Sequence, residues 1–328
     1  MSEKYKPGNR GGWNRRELLA GVTGVAGLIG TNAMAIAAPA DIPVIDTHIH
    51  LFDGTRPQGA PYTGPKEFTS HISLPGEYRA MAEPLGVVGA IAVEASGWVE
   101  DNLWLLEASQ PDTIMVGVVG CLAPEKPEFA EYLDRYHKNP LYRGIRVNQR
   151  FFPAQLSNPA FIASLKLLAQ ADLVMDTANP SLELLHSMVR LNDLVPDLRI
   201  VIDHLPVLDP KQNELADYRA VLAEIHTRPN LFVKLSEILH RVDGNVAVNL
   251  GSHRERLDYL VSIFGEDRIL FGSDYPNSVG TATFEQVVSL VKEYFRSKPR
   301  SVAEKYFWKN SARCYKWVKR TTAQPSMS

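Results

Sequence analysis

The feature that most constrains this chain is a repeated unit in which a short, continuous apolar run is followed by a stretch with apolar residues at helical spacing. The runs open at Val44 and continue at Val87–Val93, Ile114–Cys121, Arg143–Asn148, Leu173–Asp176, Arg199–His204, Leu231–Ser236 and Ile269–Ser273. Between and after them, helical spacing covers Glu100–Gln110, Glu128–Lys138, Pro159–Ala171, Ser181–Leu194, Asp217–Thr227, Arg254–Phe264, Phe284–Phe295 and Val302–Val318, with Ser181 placed to cap its helix. Strands apolar on both faces belong in a parallel sheet that is covered on both sides. About eight strand–helix units in roughly 280 residues predict a single-domain α/β fold, a (β/α)8 TIM barrel, over 41–320. A doubly wound open sheet is the competing architecture, but no glycine-rich phosphate fingerprint follows an early strand.

Composition narrows the function. Of 328 residues, 45% are hydrophobic and 22% charged, and the formal net charge is −2, with no basic block beyond the N-terminus. That disfavours nucleic acid as a partner. Cys121 and Cys314 are far apart, one in an apolar run and one in a terminal helix, and are expected to be two buried free thiols. Residues 1–38 read as an address. Arg15 and Arg16 precede a glycine-rich apolar run, and Ala35-Ile36-Ala37 offers a small-residue cleavage site. The expectation is a twin-arginine (Tat) signal peptide, engaged by the Tat export machinery and cleaved to leave a periplasmic protein without stable membrane association.

The mouth of such a barrel lies at the C-terminal ends of its strands, and there the chain carries polar residues. Val44-Ile45-Asp46-Thr47-His48-Ile49-His50 ends the first run, and strand alternation predicts Asp46, His48 and His50 on one face. Glu94 ends the second, Arg146 and Asn148 the fourth, Asp176 the fifth and Asp203-His204 the sixth. Lys234 and Ser236 end the seventh, and Gly272-Ser273-Asp274-Tyr275-Pro276-Asn277 the eighth. Closure of the barrel would bring Asp274 beside His48 and His50, where a carboxylate can ligate a metal, accept a proton from water, or both. Arg146, charged at the end of a buried strand, needs an anion, either from a substrate or from Glu94 or Asp176.

These segments resemble proteins of the amidohydrolase-related (amidohydrolase 2) group. Ile45–His50, Arg143-Gly144-Ile145-Arg146, Asp203-His204, Leu270-Phe271-Gly272-Ser273-Asp274-Tyr275-Pro276 and Asn310-Ser311-Ala312-Arg313 carry the resemblance, which covers Pro43 to Val318. It implies a TIM-barrel hydrolase or decarboxylase. The fifth run lacks the histidine that the group's decarboxylases use, and Arg146 stands where the wider superfamily often has Lys or Glu, which argues against a binuclear metal centre. Asp274 with Asn277 three residues on, and an arginine on the fourth strand, is similar to the lactonases of the group. The resemblance therefore implies a lactone or cyclic-ester hydrolase for a small, oxygen-rich and in some cases anionic substrate. Asp274 would activate water, His48, His50 and His204 would polarise the carbonyl, and Arg146, Asn277, Lys234 and Glu94 would orient the substrate. His48, His50 and Asp274 are the expected ligands of one divalent ion, zinc first, with a metal-independent reaction as the alternative. A mononuclear metal-dependent decarboxylase of an aromatic or enoic acid and a non-catalytic periplasmic ligand-binding barrel are the competing readings.

Overall fold

The computed structural model describes residues 41–57, 72–147, 152–177, 179–242 and 244–327. The expected signal peptide and Asn148 lie outside the described residues. Eight parallel strands follow one another round the sheet in chain order. They are β1 (Val44–His50), β2 (Val87–Val93), β3 (Met115–Gly120), β4 (Tyr142–Arg146), β5 (Val174–Thr177), β6 (Arg199–Ile202), β7 (Leu231–Lys234) and β8 (Ile269–Leu270). Backbone bonds close the ring. Thr47 N donates to Phe271 O at 3.0 Å, Asp274 N to His48 O at 2.8 Å and His50 N to Tyr275 O at 2.7 Å, and Ile49 bridges Tyr275 in parallel register. The expected eighth strand thus shortens to two ladder residues, and the chain beyond it still runs alongside β1.

The continuous apolar runs are explained by two cores. Ile45, Ile91, Val116, Val174, Val201 and Leu270 fill the barrel interior. The alternate residues, among them Ile49, Ala92, Val118, Ile145, Met175 and Val233, face the surrounding helices. Trp308, Cys314, Tyr315 and Trp317 join the inner core from the C-terminal segment. That segment is tied to the N-terminal ends of the strands, since Val318 N donates to Val116 O at 2.9 Å and the Arg199 side chain donates to Cys314 O at 2.7 Å. It forms the barrel floor, and the mouth lies at the opposite end.

The helices match the expected periodicities. Ser181 caps Leu182–Leu194 by accepting from Leu184 N, which satisfies an otherwise unpaired first-turn donor. Asn158 caps Pro159–Gln170 in the same way. A helix at Pro75–Ala82, between the first and second strands, adds to those the apolar spacing predicts. The C-terminal helix spans 300–315 with a π-helical stretch at Lys305–Lys309. Both cysteines are free, as expected, but only Cys314 is buried and Cys121 is partly exposed. No helix among the described residues is long and apolar enough to cross a membrane.

One expectation about β1 is corrected. Asp46 pairs with Ala90 but Ile49 with Ala92, so three steps along β1 match two along β2. This bulge reverses the alternation. Ile45 faces the interior, and Asp46 turns outward to accept from Tyr78 Oη at 2.7 Å. Only His48 and His50 enter the mouth. Asp46 also accepts from Ser273 N at 2.9 Å and His48 N at 3.1 Å, so it fastens the seam between β1 and the segment after β8. Burial pushes its carboxyl up to about 6 even with these donors.

Candidate active site

Four side chains expected at the mouth converge there. His48 Nε2 lies 3.2 Å from His50 Nε2 and 3.4 Å from Asp274 Oδ1, and His50 Nε2 lies 3.1 Å from the same oxygen. His204 Nε2 stands 3.9 Å from Asp274 Oδ1, with its ring centroid 4.4 Å from that of His48. Asp274 is 1% exposed and His48 0%, so little water screens these groups. The backbone bends sharply to aim them. Asp274, His204 and Glu237 all adopt left-handed φ, at 57°, 55° and 49°. Non-glycine residues seldom hold that conformation, and its recurrence at three site positions concentrates strain at the mouth.

Partners fix each ring. His50 Nδ1 donates to Val93 O at 3.0 Å, which turns Nε2 toward Asp274 Oδ1 at 3.1 Å. His204 Nδ1 pairs with Ser236 Oγ at 2.8 Å. Burial lowers the His204 and His48 pKa, and Lys234 adds to the depression of His48. Both rings are therefore neutral near pH 7. Burial would raise the Asp274 carboxyl, but His204, His50 and His48 outweigh it and hold Asp274 below the usual carboxylate range.

Glu237 was missed at the sequence level. Its carboxyl is pushed up to about 9 by burial and by Asp274, to which it is hydrogen-bonded. Two carboxyl groups this close cannot both ionise cheaply, so Glu237 keeps the proton and Asp274 the charge. The available signal was its place in Lys234-Leu235-Ser236-Glu237, immediately past the seventh run, where a glutamate also reads as a solvent-facing loop residue.

The expected substrate-orienting residues are placed differently from one another. Asn277 Nδ2 donates to Asp274 Oδ1 at 3.3 Å, which keeps it at the reactive centre. Arg146 is bound to Glu94 by Nε to Oε1 at 2.7 Å and by a terminal nitrogen to Glu94 O at 2.8 Å. Of the two internal carboxylates open to it, Glu94 is the partner and Asp176 is not, and the pair sits partly exposed on the rim. Glu94 also lines a cleft with Leu51, Phe52, Trp98 and Trp104. Lys234 is not at the surface of the mouth. It is 0% exposed and lies beneath the histidines, where its ammonium meets Asp176 Oδ2 at 2.7 Å, Asp203 Oδ1 at 3.0 Å and His48 Nδ1 at 3.1 Å. Tyr315 Oη, rising from the floor, donates to Asp176 at 2.9 Å. A substrate contact through Lys234 is therefore corrected to a buried supporting network.

A divalent cation fits the upper triad. A tetrahedral ion with bonds near 2.05 Å has ligand–ligand edges of about 3.3 Å, and the three separations here run from 3.1 to 3.4 Å. Two imidazole nitrogens and a carboxylate oxygen suit zinc and similar divalent ions. His48, Asp203 and His204, and separately His204, Glu237 and Asp274, also cluster within ligand range.

The amidohydrolase family profile (Amidohydro_2) matches residues 45–317. The chain is 26% identical over 292 residues to an L-fucono-1,5-lactonase of Burkholderia multivorans, covering 83% of this chain and 95% of that protein. The crystal structure of an amidohydrolase from Burkholderia multivorans with bound zinc superposes with a TM-score of 0.73 at 24% identity, over 84% of this chain and 99% of that one. A 2-pyrone-4,6-dicarboxylic acid hydrolase assigned in Pseudomonas putida superposes with a TM-score of 0.65 at 18% identity, over 84% and 98% of the two chains.

Proposed function

The chain belongs to the amidohydrolase family, and from that premise we propose that it hydrolyses a lactone or related cyclic ester of a small, oxygen-rich substrate. The observation that carries this reading is the meeting of His48 Nε2, His50 Nε2 and Asp274 Oδ1 within 3.4 Å of one another at the closure of the barrel. The lactonase relative supports the substrate class. The zinc-bound structural neighbour supports zinc as the ion for the triad.

A divalent ion held by His48, His50 and Asp274 would supply Lewis acidity toward the carbonyl and ease deprotonation of water. The chain's own groups then divide the proton chemistry. Asp274, ionised beside its imidazoles, takes a proton from the water that attacks the lactone carbonyl carbon. Glu237 carries its proton at neutral pH and gives it to the ring oxygen as the carbon–oxygen bond breaks. The hydrogen bond between the two carboxyl groups returns the proton from Asp274 to Glu237, restoring the starting state. His204, fixed by Ser236, lines the carbonyl side, and Asn277 and the rim arginine Arg146 orient the substrate.

Turnover of a panel of sugar, aliphatic and carboxylated lactones by the purified protein, followed by proton release, tests the reaction. Carbon dioxide release from aromatic acids with no lactone turnover would favour the decarboxylase reading, and binding without turnover would favour a ligand-binding barrel. We further propose that 1–38 is a Tat signal that delivers the folded enzyme to the periplasm. Replacement of Arg15 and Arg16 by lysine should leave the protein in the cytoplasm, and continued export would refute that assignment.

A further inference from the structure

The two ligand histidines are held in opposite ways. His50 follows the usual arrangement of a metal-binding imidazole, in which the outer nitrogen donates to a carbonyl or carboxylate and the inner one is left bare; its outer partner is Val93 O at 3.0 Å. His48 does not. Its Nδ1 faces the Lys234 ammonium at 3.1 Å, and an ammonium can only donate. The alternative acceptor, Asp203 Oδ2, lies 3.4 Å from Nδ1 but has no aligned hydrogen bond among the described residues. Lys234 is hydrogen-bonded to Asp176 Oδ2 at 2.7 Å and to His48 Nδ1 at 3.1 Å, and Asp203 Oδ1 lies 3.0 Å from the ammonium as an ion pair. The ammonium is fully buried and is braced from the floor through Asp176 and Tyr315.

We infer that Lys234 is a positioning residue that fixes His48 as the tautomer bearing its proton on Nε2. A neutral imidazole that accepts at Nδ1 carries N–H at the other nitrogen. His48 therefore presents an N–H toward His50 Nε2 at 3.2 Å and Asp274 Oδ1 at 3.4 Å, and is set to donate to the carbonyl oxygen of a bound substrate. Ion binding through His48 Nε2 requires the proton to move to Nδ1 and to turn from Lys234 toward Asp203. Lys234 thus weakens the grip of the triad on a metal and favours a site that works by hydrogen bonding. The consequence for catalysis rests on the lactonase reading, but the tautomer and the affinity are properties of the unreacted protein.

Two measurements test this without turnover, so failure of the lactonase reading would leave their outcome unaffected. The first is a two-bond proton–nitrogen correlation spectrum of chelator-stripped, nitrogen-15 histidine-labelled wild type, with His48 assigned by its loss in His48→Gln. The expected pattern for His48 has a protonated Nε2 and a bare Nδ1; a protonated Nδ1 would overturn the inference. The second is calorimetric zinc titration of the stripped wild type and of the charge-balanced double variant Lys234→Met, Asp176→Asn. That variant is expected to bind zinc at least ten times more tightly, while equal or weaker binding would overturn the inference. Should it not fold, the wild-type spectrum alone decides.

Discussion

Glu237→Gln isolates the proton that Glu237 holds beside Asp274. The folded protein keeps that carboxyl up to about 9, against an ordinary 4.5. Because the folded value is raised, the folded state retains a proton that the unfolded chain has already released between these two values. The contribution of Glu237 to stability is complete below pH 4.5 and is lost progressively as pH rises toward 9. At pH 7 the loss reaches at most about 3 kcal/mol, from 1.36 kcal/mol for each pH unit above 4.5. Glutamine can still donate to Asp274 and needs no proton to do so. Asp274 is depressed below its ordinary 3.8, so it stays ionised above pH 5 in both states and does not distort the comparison. Urea unfolding followed by tryptophan fluorescence at pH 5, 7 and 8.5 should show the variant gaining on wild type by about 1–3 kcal/mol at pH 7 and by more at 8.5. In the same protein, kcat on a lactone should fall by about 10²-fold, since the leaving oxygen loses its acid. A stability difference that is constant across this range, or that shrinks as pH rises, would refute the assignment of the proton to Glu237.

Two further substitutions probe what holds the site in place. Asp46→Ala strands Tyr78 Oη, Ser273 N and His48 N beneath the seam and should cost about 3–5 kcal/mol in urea unfolding, with activity lost in parallel. Gly120→Ala places a Cβ 2.0 Å from Asn102 Oδ1. That amide bridges Cys121 N and O, so its displacement should destabilise the protein by about 1–3 kcal/mol, read as a lower thermal midpoint.

The barrel was legible in the sequence because its determinants are local. Each β-branched run declares a strand, and Ser181 caps its helix by a contact three residues away. Asp274 could be placed opposite His48 and His50 from topology alone, since the last strand of a closed barrel must meet the first. The errors arise where the decisive contacts are distant in sequence or depend on backbone geometry. Asp46 was put on the histidine face because alternation does not foresee the bulge after it. Lys234 reads as a charged mouth residue, yet its partners come from β1, β5 and the residue after β6, and Tyr315, from the end of the chain, braces them. Glu237 lies past the end of β7 with a left-handed backbone, which strand alternation does not foresee. Arg146 carried a correct requirement for an anion, but composition could not choose Glu94 over a substrate.

The central claim is that Asp274, seated between His48, His50 and His204, is the group that activates water. Its most direct test is kcat/KM of Asp274→Asn on a lactone that the wild type turns over, with the fold verified by circular dichroism. The substitution preserves shape and hydrogen bonding but removes the base, and the expected fall is about 10²–10⁴-fold. A folded Asp274→Asn protein that retains most of its activity would contradict the account.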